Sequence, residues 1–185
     1  MKKFLSDWWL IIALVVMFYL FGYAEVVGFM QRLVLSTGII QTETIDAKDQ
    51  QIADYNFRLI GEQGNIVDFN RFKGQTVFLN FWATWCPPCV AEMPDIHDLY
   101  EKVKNENVAF VLISQDENFD KAKNFLDRKS YSFPVYQLAS SLPKIFSSRS
   151  IPTTFVISPE GKIIAKHTGM AKYDTEAFRQ LLVAD

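Results

Sequence analysis

The only two cysteines of the 185-residue chain, Cys86 and Cys89, sit together in Cys86-Pro87-Pro88-Cys89. The run before them, Phe78 to Trp85, reads as a buried apolar strand ending in an aromatic turn, and Cys89 to Asn105 has helical spacing of apolar residues. A Cys-x-x-Cys at a strand-to-helix junction puts the first sulfur at a helix N-terminus. Unsatisfied backbone N–H groups and the helix dipole favour an anion there. Thiolate is the reactive form of cysteine, so this position favours a nucleophile near neutral pH. Two neighbouring cysteines can form one disulfide or supply two metal ligands. The junction favours the redox use.

The rest of the chain alternates strand and helix patterns. Tyr55, Phe57 and Leu59 alternate with polar residues, Gly61 to Asn65 reads as a turn, and Ile66 to Phe69 as the return strand. Val77 to Phe81 and Val108 to Ile113 are nearly continuous apolar runs, as expected for strands covered on both faces. Helices are expected after Cys89, with Pro94 as a kink, and from Asn118 to about Lys129. A short strand at 135–137 and a short helix at 142–146 follow. Thr153 to Ile157 and Ile163 to His167 form a hairpin about Pro159-Glu160-Gly161, and Asp174 to Val183 closes the chain as a helix. The pattern predicts an α/β sandwich with a central mixed sheet flanked by helices.

The N-terminus is different in kind. Lys2 and Lys3 precede Trp8 to Ala24, 17 residues without a charge, bounded by Asp7 and Glu25. A membrane span needs about 20 apolar residues, with about 17 as the lower limit; Trp8, Trp9, Tyr19 and Tyr23 suit the headgroup level. A cleaved signal peptide ending near Gly22-Tyr23-Ala24 is the other reading, although its apolar core usually runs to only about 7–15 residues. Either way the remainder is exported, with Lys2 and Lys3 left on the cytoplasmic side. The expected organisation is a membrane anchor over 1–30, an amphipathic segment and polar linker over 31–51, and an α/β redox domain over 52–185. The stretch from Val26 to Ile40 suits a helix lying on the bilayer or one binding a partner. A net charge of −2 and a pI near 5.7 give no footprint for nucleic acid.

Phe81-Trp82-Ala83-Thr84-Trp85-Cys86-Pro87-Pro88-Cys89, followed by Glu92-Met93-Pro94 and later by Ile151-Pro152-Thr153-Thr154-Phe155, resembles the thioredoxin fold. More narrowly it resembles the membrane-anchored, outward-facing disulfide reductases of the TlpA/ResA type. That resemblance implies a redox-active Cys86–Cys89 disulfide, with Cys86 attacking and Cys89 resolving, and no bound cofactor or metal. It implies a cis peptide bond before Pro152. Trp85, Pro87, Pro88, Ile151 and Pro152 would meet the substrate. Thioredoxin has a buried aspartate where this chain has Asn80, which cannot take a proton. Glu92, three residues after Cys89 on the same helical face, is the expected replacement.

The implied partners are protein thiols and disulfides, with apocytochrome c cysteines among the candidates, and a membrane thiol-electron transporter as donor. The implied location is the cytoplasmic (inner) membrane, single-pass, with the redox domain on the periplasmic or extracytoplasmic side. Pro87-Pro88 adds no charge to stabilise a Cys86 thiolate, which favours a reductase over an exported thiol oxidase. A metal-binding protein using Cys86, Cys89 and His97 or His167 is the rival from another class. Structural zinc normally takes four ligands, and His97 falls off the helical face of Cys89. Covalent haem attachment requires histidine where Val90 stands.

Overall fold

In the computed structural model of the chain, residues 8–9, 11–13, 15–16, 23–35 and 44–183 are described. A seven-stranded mixed sheet, ordered β2-β1-β5-β4-β3-β6-β7, forms the centre of the protein. Its strands are β1 (Arg58–Gly61), β2 (Ile66–Asp68), β3 (Thr76–Trp82), β4 (Val108–Ser114), β5 (Val135–Leu138), β6 (Thr153–Ile157) and β7 (Ile163–Thr168). The helices are α1 (Tyr23–Leu35), α2 (Pro87–Val103), α3 (Phe119–Lys129) and α4 (Glu176–Val183). Strands β3, β4 and β5 run parallel, while β1 and β6 pair antiparallel to β5 and β3.

The two-residue period of β3 divides its side chains between two cores. Phe78 and Trp82 face one core, with Met93, Ile96 and Leu99 of α2, Phe125 of α3 and Phe178 of α4. Val77, Leu79 and Phe81 face the other, with Tyr55, Phe57, Phe69, Phe146 and Phe155. Every residue of β3 is buried, as its nearly continuous apolar run predicts. Asn80 is the exception in chemistry and not in burial: the alternation places it between Phe78 and Trp82, on the side of α2. Two 3-10 turns, Phe69–Phe72 and Lys144–Phe146, bring aromatic rings to the second core; the sequence pattern suggested a longer helix at 142–146. In the first hairpin β1 begins only at Arg58, yet Tyr55, Phe57 and Leu59 are all buried on alternate positions as expected.

Helix α2 is assigned without a break through Pro94, where a kink was expected. Helix α3 starts at Asn118, whose side chain accepts from the Asp120 N–H, and ends on Ser130 in the left-handed region. At the β6–β7 turn Gly161 has φ +81°, a conformation that glycine adopts without strain.

Two segments differ from the sequence reading. Part of the polar stretch read as a linker lies on the sheet: Thr44 bridges Ala165, Ile52 bridges Lys162, and the Ile45 N–H donates to the Ile164 carbonyl 2.8 Å away. Strand β7 is an edge with unpaired backbone groups, which an extended polar segment can satisfy. Helix α1 also packs on the domain. Val26 is buried, and Glu25 pairs with Arg128 at 3.2 Å and Lys129 at 3.1 Å at the end of α3. A Cβ on Gly28 would lie 3.0 Å from the Pro87 carbonyl oxygen, so α1 approaches α2 at a point where glycine leaves room. The described residues of 8–16 are helical, but residues 1–7, 10, 14 and 17–22 of the expected anchor lie outside the described residues. Among the described residues no helix is long and apolar enough to cross a membrane.

Candidate active site

The site forms where β3 ends and α2 begins. Asp116 holds the intervening turn. Its carboxylate accepts from the Thr84 N–H at 3.0 Å, the Thr84 hydroxyl at 2.6 Å and the Ser114 hydroxyl at 2.9 Å. Beyond the turn, Cys86 caps α2: its sulfur accepts from the Cys89 N–H at 3.3 Å, and Pro87 and Pro88 fill the first helical positions. Proline suits that position because the N–H it lacks would have no intrahelical partner there.

Cys86 and Cys89 form a disulfide, with S–S 2.15 Å. Both cysteines are buried, while neighbouring Trp85 is 58% exposed. The Ile151–Pro152 peptide bond is cis, and the Ile151 carbonyl oxygen lies 3.8 Å from Cys86 Sγ. A disulfide sulfur has no proton to donate, so this is a contact and not a hydrogen bond. Trp85 and Ile151 line a groove of about 650 Å³ with Phe81, Gln115, Leu138 and Arg149. Pro87 and Pro88, half-buried, lie away from that groove, with Pro87 turned toward α1. The structure thus brings Trp85, Cys86, Ile151 and Pro152 together where β3 ends and β6 begins.

Beneath the disulfide lies a polar network inside the apolar core. Glu92, one turn beyond Cys89, is fully buried, whereas its place near the helix start also suited a partly exposed carboxylate. Oε1 accepts from Asn80 Nδ2 at 3.0 Å and Oε2 from the Ala171 N–H at 3.3 Å. Asn80 Nδ2 also lies 2.9 Å from Thr154 Oγ1, directly across the β3–β6 pair, and Thr154 Oγ1 lies 2.6 Å from the Tyr173 hydroxyl. Burial pushes the Glu92 carboxyl well above the ordinary carboxylate value; the two hydrogen bonds pull it down only in part. Burial likewise raises Asp95 and Tyr173. Asp95 accepts from the backbone N–H groups of Tyr173 and Asp174, fixing the segment that supplies the Ala171 donor.

Sequence reasoning did not find Thr154, Tyr173, Ala171 or Asp116 as parts of the site. Thr154 alone left a signal, as the polar residue of an apolar strand immediately after the Ile-Pro-Thr. The histidines stand apart. His97 packs on the Tyr131 ring at 5.0 Å, and His167 is paired with Thr154 across β6 and β7. Among the described residues no group of three or more His, Cys, Asp and Glu is arranged to hold a metal ion.

A mixed sheet with a disulfide capping the helix after its central strand, faced by a cis-proline loop, defines a thioredoxin-like redox protein. Residues 47–182 match the redoxin family model, and the chain belongs to that family. Among curated proteins it is similar to the thiol-disulfide oxidoreductase ResA of Halalkalibacterium halodurans, with 35% identity over 129 residues, 69% of this chain and 73% of that one. The ResA of Bacillus thuringiensis is 36% identical over 115 residues, 62% of this chain and 66% of the relative, just under two thirds of its length. Among solved structures, a thiol:disulfide interchange protein of the thioredoxin family from Chlorobium tepidum aligns with TM-score 0.61 and 25% identity, covering 76% of this chain and all (100%) of that one. StoA from Bacillus subtilis aligns with TM-score 0.53 and 26% identity, covering 63% and 89%.

Proposed function

We propose that this thiol-disulfide oxidoreductase works as a reductase of disulfides in exported proteins, held to the outer face of the cytoplasmic membrane by its N-terminal segment. The observation that carries the reading is the Cys86–Cys89 disulfide at the start of α2, with the Ile151 carbonyl beside it and an ionisable carboxyl buried beneath. Reduced Cys86, as thiolate, attacks one sulfur of a substrate disulfide; the other substrate sulfur leaves with the electron pair and takes a proton. Cys89 then passes its proton to Glu92 and attacks Cys86 Sγ. The Cys86–substrate bond breaks, and the substrate is released with both sulfurs reduced. The dithiol has supplied two electrons and ends as the disulfide.

Trp85, Ile151 and Pro152 suit a landing surface for an extended polypeptide on either side of its cysteine. Pro87 and Pro88, away from the groove, act on this surface only by fixing the first turn of α2. The dipeptide between the cysteines carries no charge and so adds nothing to the stabilisation that the helix start gives the Cys86 thiolate, which supports the reducing direction. Apocytochrome c cysteines fit as substrates by the resemblance to the TlpA/ResA type, and a membrane protein with a thiol pair facing outward would restore the dithiol. The site needs no further cofactor for this chemistry.

The test is a mixed-disulfide trap. In Cys89→Ser the attack by Cys86 still occurs but resolution does not, so the variant should accumulate a reducible adduct with an insulin or apocytochrome c disulfide. Cys86→Ser should form none. An adduct through Cys89 in the Cys86→Ser protein, or turnover by either single variant, would overturn the assignment.

A further inference from the structure

The network under the disulfide contains a residue that can form hydrogen bonds in either direction. Asn80 is fully buried and its Nδ2 lies between two oxygens, Glu92 Oε1 at 3.0 Å and Thr154 Oγ1 at 2.9 Å, while its Oδ1 has no partner among the described residues. This arrangement suits an ionised Glu92, which can only accept. A protonated Glu92 carries an O–H on one oxygen. If that proton is on Oε1, it meets the Asn80 donor head-on, and one of the two must turn away.

Turning the carboxamide over removes the conflict. With Oδ1 in the place of Nδ2, the same oxygen accepts from the Glu92 O–H and from the Thr154 hydroxyl. The Thr154 and Tyr173 hydroxyls lie 2.6 Å apart and either can donate; once Thr154 donates to Asn80, Tyr173 supplies the proton between them. Either orientation leaves one end of the Asn80 amide without a partner. The proton on Glu92 can then decide between the two. An aspartate at this position would bring a second charge. An aliphatic residue would serve neither state of Glu92.

We propose that Asn80 is a positioning residue that turns over when Glu92 takes up the Cys89 proton, so that both protonation states of the buried carboxyl are hydrogen-bonded. The proposal rests on the reading of Glu92 as the proton acceptor. The proton that Cys89 gives up on attacking Cys86 stays on Glu92, donated to Asn80 Oδ1. It returns to Cys89 when that sulfur next leaves as a thiolate on reduction of the disulfide. Asn80 itself neither gains nor loses a proton. Glu92 accepts from Asn80 on β3 and from the Ala171 N–H on the segment before α4. Asp95 on its own helix and Tyr173 act on it through charge, Thr154 on β6 stands behind Asn80, and Cys89 is one helical turn away.

The experiment is a pH titration of the full chain in its disulfide form, following the Asn80 side-chain amide and the Glu92 side-chain carboxyl by 15N and 13C NMR. At high pH an Asn80 Nδ2 proton should be shifted downfield and protected from exchange. Both properties should be lost as pH falls, with the same midpoint as the Glu92 carboxyl, and in Glu92→Gln the Asn80 signals should no longer depend on pH. Asn80 signals that hold still while Glu92 titrates would overturn the turnover and leave Glu92 as the acceptor. A Glu92 carboxyl that never titrates between about pH 5 and about pH 9 would overturn both proton steps, while the mixed-disulfide trap would still decide the reaction.

Discussion

Glu92 is the residue whose environment has the clearest consequences. Its raised value means that between the ordinary 4.5 and the folded-state value the folded protein holds a proton that the unfolded chain has lost. Stability should therefore fall as pH rises through that window and level off above it. Below 4.5 both states are protonated and the penalty is absent. Chemical denaturation at a series of pH values should show this decline, and Glu92→Gln should flatten it. Some slope will persist, because Asp95 is raised by burial as well. For the chemistry, Glu92→Gln should slow resolution by Cys89 by about 10²-fold, the scale of a lost general base, without preventing the first attack by Cys86. Stopped-flow measurement of the two steps would separate them; equal slowing of both would count against the assignment.

At the scale of elements, two contacts set the geometry of the strand-to-helix junction. Asp116 ties the Thr84 turn to the end of β4, and Asp116→Ala leaves three donors without their acceptor. The expected cost is about 1–3 kcal/mol, read as a lower denaturation midpoint, with slower thiol exchange because the turn no longer aims Cys86. Helix α1 bears on the other side of the motif. Gly28→Leu would drive a side chain into the Pro87 carbonyl and Val90, forcing α1 outward. Overpacking of this kind costs about 1–3 kcal/mol, and limited proteolysis should then cut within α1 sooner than in the parent. Unchanged protection of α1 would show that the contact does not hold it.

On the scale of the whole molecule, the direction of electron flow is set by the difference between the dithiol and disulfide forms. The full chain equilibrated in dithiothreitol or glutathione buffers should show a reduction potential near or below about −270 mV. A value near about −120 mV, that of a strong oxidant, would reverse the proposed flow while leaving the fold untouched. Cell fractionation tests the proposed attachment: the chain should remain with the membranes through a high-salt wash and leave them in detergent. Release by salt alone would exclude an apolar anchor.

The strand, the Cys-x-x-Cys junction and the β6–β7 hairpin were legible in the chain because each is a local pattern. A nearly continuous apolar run from Val77 to Phe81, a capping position at Cys86 and a glycine at 161 each act over a few neighbouring residues. Within β3 the alternation of side chains sets Asn80 on the side of Phe78 and Trp82. Which residues would meet it was not local. Thr154 comes beside Asn80 through the antiparallel β3–β6 register, and Ala171 and Tyr173 reach Glu92 from a segment some eighty positions further along the chain. The burial of Glu92 likewise depends on β3, β6 and the segment before α4 closing over one helical turn. Between 44 and 51 polar residues suggested a linker, and the unpaired edge of β7 engages that stretch. The sequence by itself determined the reactive pair and the strand and helix that present it, because turn chemistry, capping and periodicity are short-range. Only the tertiary structure decided how the buried carboxyl is held and where α1 rests, because those depend on packing between segments distant in sequence.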